Sequence, residues 1–162
     1  MGCGKKIFPD YINADCIHIP KMSVYCDFSF KNFPFKDNSF SNIIALNILE
    51  HLPDTVKVME EIWRISKPGA EVFIKVPHYK SSNAFKDPTH KSYFTEDSFE
   101  YFDKGKISWY SKAQFKVVKV NKIYQYHIDR YVRRIFPRLL RFVEKFFDNT
   151  IESIEFKLVA VK

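Results

Sequence analysis

The chain has 162 residues, 46% of them apolar and 28% charged, which excludes a disordered polymer and predicts one domain. No run of 18 apolar residues is present, so no membrane span is expected, and the absence of an apolar leader argues against secretion. The net charge of +7 permits an acidic partner, such as nucleic acid or an anionic lipid surface, without naming one.

In chain order, Gly2-Cys3-Gly4 comes first, holding two of only four glycines. Alone it reads as a flexible end. A myristoylation signal is excluded because position 6 is Lys6 rather than Ser or Thr. Tyr11–Asp15 and Val24–Asp27 are short β-like runs, each ending on an aspartate. Cys3, Cys16 and Cys26 form no CxxC pair and are odd in number, so a disulfide framework or a zinc ribbon is not expected and a reducing cytoplasm fits.

Asn42–Leu46 is a third β-like run and Ala70–Val76 a fourth. Between them the spacing predicts a helix over Asp54–Ser66, with Val56, Met59, Ile62 and Trp63 as its buried stripe and Glu60–Arg64 as an i,i+4 pair. Lys67-Pro68-Gly69 is predicted to turn the chain into the next strand. A β–helix–β order favours parallel strands, so the fold class is α/β. Pro77–Phe94 is polar and loop-like, and Thr95 is placed to cap a short helix through Phe102.

Phe115–Tyr124 and Ser153–Val161 are predicted strands, the second antiparallel and at or near a sheet edge, with Ile154, Phe156, Leu158 and Ala160 facing inward. Between them, Arg130, Arg133, Arg134, Arg138, Arg141 and Lys145 stand against only Asp129 and Glu144. Val132, Ile135, Phe136, Leu139, Phe142, Val143 and Phe146 recur there at helical spacing, and Pro137 suits a first helical turn. The segment reads either as a helical pair with its arginines in water or as a basic amphipathic surface for a membrane or partner.

The order of the motifs is more specific than any one of them. Asp15 follows Gly4 by eleven residues, and Asp27 follows Asp15 by twelve. Then come Pro34-Phe35-Lys36-Asp37-Asn38-Ser39-Phe40, Asn47-Ile48-Leu49-Glu50-His51-Leu52-Pro53-Asp54 and Lys67-Pro68-Gly69. In this order the chain resembles the class I S-adenosylmethionine-dependent methyltransferases, from residue 2 to about 78. Asp87-Pro88-Thr89-His90 and Phe94–Phe102 resemble a loop of a subgroup associated with sugar and surface-polysaccharide modification.

The resemblance implies a Rossmann-like, mostly parallel sheet with one reversed strand, and S-adenosylmethionine lying across the strand ends. It implies that Gly2, Cys3 and Gly4 pass under the methionine part, Asp15 holds the ribose, Asp27 sits by the adenine, and Asn47 and Leu49 line the sulfonium side. Residues 1–78 would be the cofactor half of one domain, and 79–162 would supply the acceptor loop, basic helices and closing strands. The family's first strand precedes its glycine loop, where this chain has only Met1. The expectation is therefore an N-terminally truncated sheet, with either a true start about six residues upstream, roughly one strand length and the favoured explanation, or an eroded chain that binds cofactor poorly.

Methyl transfer from a sulfonium is an in-line displacement, and an alcohol acceptor needs a base within reach. His78, ending the fourth strand, and His90, closing Asp87–His90, are the candidate bases or acceptor-orienting groups. His51 is placed near the acceptor side by the resemblance, while His18 and His127 are expected to be structural or exposed. A metal set of His78, His90 and Asp87 has no recognised spacing, so none is expected. The resulting reading is methyl transfer to a small or glycan-type acceptor, with oxygen the favoured atom and Tyr79, Tyr93 and Phe94 covering it. The rivals are a degenerate binding or scaffold protein and a nucleic-acid methyltransferase, the last disfavoured because no nucleic-acid module is present.

Overall fold

The computed structural model describes residues 1–29, 32–103, 110–133 and 136–162. Arg134 and Ile135 of the basic segment therefore lie outside the described residues. Strands β1 (Ala14–Asp15) and β2 (Val24–Tyr25) form a small parallel pair. Strands β3 (Phe40–Leu46), β4 (Ser66–Pro77), β5 (Phe115–Tyr124) and β6 (Ile151–Ala160) form a second sheet in the order β3-β4-β6-β5. β3 runs parallel to β4, and β6 runs antiparallel to both β4 and β5, so β6 is the one reversed strand of that sheet. The architecture is α/β and mixed, with parallel pairing in the first half of the chain and antiparallel pairing in the second.

Helix α1 (Thr55–Ile65) makes the β3-to-β4 crossover. Asp54 caps it, accepting from the Lys57 N–H at 3.0 Å. Its inward face is Val58, Met59, Ile62 and Ile65, while Val56 and Trp63 are only partly buried. The Trp63 indole N–H donates to Val161 O at 2.7 Å and ties the helix to the end of β6. Arg64 pairs with Glu61, at 2.8 Å, rather than with Glu60 as expected. Glu61 already accepts the Phe33 N–H, so one carboxylate serves both, whereas Glu60 accepts from the Ser111 hydroxyl and the Lys112 N–H.

Pro68-Gly69 does not interrupt β4. Phe40 pairs with Ser66 and Asn42 with Glu71, so the extra residues are absorbed as a bulge with Gly69 at φ +76°. β6 lies inside the sheet, one strand from the edge, with Ile154, Phe156, Leu158 and Ala160 buried as predicted. Phe156 meets Phe99 edge-on at 4.6 Å. Phe99 belongs to a 3-10 turn at Ser98–Phe102 that replaces the expected helix from Thr95.

A short helix α2 (Ser82–Phe85) follows β4, and a π-helical turn, Ile128–Arg133, precedes α3 (Pro137–Phe146), with Pro137 in the first turn of α3 as expected. Polar contacts fix α3. Lys80 Nζ donates to Glu144 O and Lys145 O, and Glu144 accepts from Lys122 at 2.7 Å and from the Tyr124 hydroxyl at 2.5 Å. Leu139, Phe142 and Phe146 stay exposed on α3. No helix among the described residues is long and apolar enough to cross a membrane.

Candidate active site

Residues 1–4 sit between the two sheets. The Met1 amino group donates to Ile44 O on β3 at 2.8 Å, and the Cys3 N–H to Ala14 O on β1 at 3.3 Å. The neighbouring carbonyls of β1, on Asn13 and Asp15, turn the other way to accept from Val24 and Cys26. Between β1 and the free edge of β3 lies a cavity of about 550 Å³, lined in part by Phe40, Asn42, Ile44 and Leu46. Gly2, Cys3 and Asn47 also line it, whereas Asp15, Asp27 and Leu49 do not. The void therefore follows the strand gap and only touches the strand ends.

Gly2 and Gly4 both adopt left-handed backbone, at φ +58° and +48°. A Cβ on Gly2 would stand 2.6 Å from Ile48 Cδ1 and 2.8 Å from Ile48 Cβ, so this position needs glycine for space as well as for φ. The bend brings the Gly4 N–H to Asp15 Oδ2 at 2.9 Å, while Asp15 Oδ1 accepts the Ile17 N–H at 3.0 Å. Asp15 is only 8% exposed, and these two amides compensate its desolvation. Asp27 is half-buried at the end of β2 and accepts from the Ser29 N–H at 2.8 Å.

Asn47 lies at the end of β3, at φ +50°, its N–H held by Lys75 O. Its amide Nδ2 donates to Glu50 Oε1 at 3.2 Å. Leu49, expected to line the sulfonium side, instead has its side chain fully buried in the core, so only its backbone remains available to a ligand.

The two candidate bases are held differently. His78 is 2% exposed; its Nδ1 accepts the Lys80 N–H at 3.2 Å, and its Nε2 stands 3.4 Å from Glu96 Oε2 without a hydrogen bond. Burial pushes its pKa down, against the pull of Glu96. Lys122 bridges Glu96 to Glu144 on α3. Burial alone would raise the Glu96 pKa, but backbone hydrogen bonding and Lys122 outweigh it and the net direction is down. His78 is thus buried against Tyr79, Lys80 and Glu96 rather than open to an acceptor.

His90 joins His51, their rings edge-to-face at 4.6 Å. Glu50, in the 3-10 turn Leu49–His51, completes the group, and one ligand atom from each of the three lies within 4.8 Å of the others. Lys91 and Ser92 donate their N–H groups to Glu50 O and fasten the loop there. Among the described residues, Glu50 rather than His78 or Asp87 joins His90 in this cluster, and the sequence expectations do not include it. The signal available was an acid–imidazole pair directly after a strand end. Phe94, expected over the acceptor, is buried in the core instead. Phe85 and Tyr93 stack at 4.7 Å and are exposed. His18 and His127 are exposed, as expected.

Residues 7–74 match the family model described as a methyltransferase domain. Over 73 residues the chain is 37% identical to cycloartenol-C-24-methyltransferase 1 of Oryza sativa subsp. japonica, covering 41% of this chain and 20% of that one. Over 75 residues it is 31% identical to phosphoethanolamine N-methyltransferase 2 of Caenorhabditis elegans, covering 44% and 17%. The matched stretches thus span a fifth or less of these relatives. Among solved structures, the Haemonchus contortus phosphoethanolamine N-methyltransferase 2 in complex with S-adenosyl-L-methionine aligns with a TM-score of 0.51 at 17% identity, covering 85% of this chain and 36% of that one. The [4+2]-cyclase SpnF aligns with a TM-score of 0.52 at 15% identity, covering 84% and 54%. The chain therefore has the Rossmann-like fold of the S-adenosylmethionine-dependent methyltransferases, and its first half carries their domain match.

Proposed function

We propose that the protein transfers the methyl group of S-adenosylmethionine to a small-molecule or glycan-type acceptor, with oxygen the favoured atom. The observation that carries this reading is the joining of the glycine bend to the strand-end acid through Gly4 and Asp15. In it, the bend lies beneath the amino-acid tail, Asp15 and Asp27 take the ribose and adenine, and Asn47 lines the sulfonium. His90 and His51 orient the acceptor under the Phe85–Tyr93 loop, and His78 is a positioning group. The preference for a glycan rests on the Asp87–His90 resemblance. The sterol and phosphoethanolamine named for the relatives make small carbon or nitrogen acceptors the next to try. Three free cysteines suit a reducing cytoplasm.

We read the gap between β1 and β3 as the seat of a further parallel strand. Titration calorimetry with S-adenosylhomocysteine tests the cofactor reading. Stoichiometric binding that Asp15→Ala weakens supports it, and no binding by a chain in which that gap has been filled favours the scaffold reading.

One observation favours a peripheral membrane role as well. Leu139, Phe142 and Phe146 form an exposed apolar row on α3, beside the exposed Arg141 and Lys145. Docking there would bring the enzyme to a lipid-linked acceptor. Co-sedimentation with anionic vesicles tests this, and binding that survives Arg141→Glu with Lys145→Glu counts against it.

A further inference from the structure

Glu50 is 1% exposed, and while its Oε1 accepts from Asn47, its Oε2 is buried with no hydrogen-bond partner. A buried carboxylate oxygen left bare is costly and calls for a counter-charge. His51 and His90 each bring a ring nitrogen within 4.8 Å of a Glu50 carboxylate oxygen, and their tautomers are fixed by what holds them.

His51 Nδ1 lies 2.8 Å from Thr89 Oγ1, and that hydroxyl donates its proton to Asp87 Oδ1 at 2.7 Å. Thr89 can therefore only accept from His51, so Nδ1 carries the hydrogen. His90 Nδ1 lies 2.8 Å from the Ala84 carbonyl, which also can only accept. In both neutral rings the Nε2 lone pair is left free. Asp87–Thr89 behind one ring and a backbone carbonyl behind the other form the outer arrangement that orients metal-binding histidines.

We propose that Glu50, His51 and His90 bind a single divalent transition-metal ion of the zinc class, with an open position directed to the acceptor. Two imidazoles and one carboxylate suit zinc, whereas magnesium favours an all-oxygen shell. Zinc ligation at about 2.0–2.2 Å sets ligand atoms about 3.4 Å apart, so atoms now within 4.8 Å must close by small side-chain rotations. His51 and His90 are only half-buried, which leaves room for that movement and for a further ligand. The direction of the open position rests on the acceptor side assigned above. The metal site itself does not, because its ligands are read from their own geometry.

The test uses the full chain, stripped with chelator and titrated with Co²⁺ followed by optical absorption, then with Zn²⁺ in competition. The expected result is one ion per chain, with the absorption of a four- or five-coordinate site displaced by zinc. His51→Ala and His90→Ala should each lower affinity at least tenfold, and Thr89→Val should lower it about tenfold through the outer partner. Circular dichroism of the metal-free variants controls for folding, and Glu50→Gln, which keeps the shape, provides a second ligand variant. No stoichiometric binding by the wild-type chain, or binding unchanged in His51→Ala and His90→Ala, overturns the proposal. S-adenosylhomocysteine binding is measured separately. Cofactor binding without metal binding overturns only this inference, and metal binding without cofactor binding by the gap-filled chain overturns only the methyltransferase reading.

Discussion

The Gly4 N–H donates to Asp15 Oδ2 across 2.9 Å, linking the bend at the chain's first residues to the last residue of β1. Asp15 is thereby held by the bend whose ligand it is proposed to share. Replacing Asp15 with Ala should leave the Gly4 and Ile17 amides unpaired and lower S-adenosylhomocysteine affinity at least tenfold. Asp15→Asn, which still offers one acceptor oxygen, should lose less. Calorimetry with both variants checks the order.

The two glycines of the bend should not be equivalent. Gly2→Ala drives a methyl into Ile48 and should cost about 1–3 kcal/mol. Gly4→Ala meets nothing within 4 Å and carries only the left-handed backbone penalty, about 1–2 kcal/mol. Thermal melting of the two variants should show the larger fall for Gly2→Ala.

Arg64 gathers four partners. Its guanidinium donates to Glu61, Asp37, Phe33 O and Phe35 O, all between 2.6 and 3.1 Å. Hydrogen bonding to Arg64 holds the Glu61 pKa down. Arg64→Ala strips two carbonyls and a mostly buried carboxylate together and should cost about 2 kcal/mol, a Tm fall of about 4–8 °C. Arg64→Lys should recover only part, because an ammonium cannot reproduce the fork.

Stability should fall as the medium is acidified through the histidine range. Burial sets the His78 pKa below its ordinary 6.5, so below that pH the unfolded chain takes up a proton that the folded chain refuses. The unfolded state then binds more protons, and unfolding becomes easier as pH drops. His78→Asn should flatten the Tm profile between pH 7 and 5.5; an unchanged slope would place the effect elsewhere.

The slot between β1 and β3 should accept a strand. Joining an extended apolar segment of about five residues ahead of Met1 should continue the pairing that Met1 begins on Ile44 O and Cys3 on Ala14 O, raise Tm and tighten S-adenosylhomocysteine binding. A polar segment of equal length serves as the control.

Much of the scaffold was legible because local rules and tertiary packing agree there. β5 has the predicted bounds, and α1 lies within one residue of the predicted Asp54–Ser66 at each end, with Asp54 and Ser66 as its caps, since alternation and capping act over a few residues. Asp15 and Gly4 were singled out separately, and their hydrogen bond joins them. The histidine cluster was not legible: His90 is 40 positions from Glu50, and only the closure of the Pro77–Phe94 loop brings them together. The Arg64 partner was not legible because Glu60 at i−4 and Glu61 at i−3 are equally spaced for it on a helix. A distant amide, that of Phe33, separates their roles. Leu49 and Phe94 were assigned to surfaces for their positions beside motifs, but their apolar side chains are better accommodated in the core.

The placement of β6 bears on how the chain matures. Ile151–Ala160 is flanked by β4 and β5, so until this segment is made β4 is paired on its β3 side alone and β5 has no neighbour in the sheet. Before then, the hydrogen-bonding edge of β4 and the apolar side chains around Ile74 stand open to stray association. Completing the sheet thus waits on long-range pairing of β6 with β4. Chains cut just before or within Ile151–Ala160 should accordingly aggregate rather than fold into working molecules.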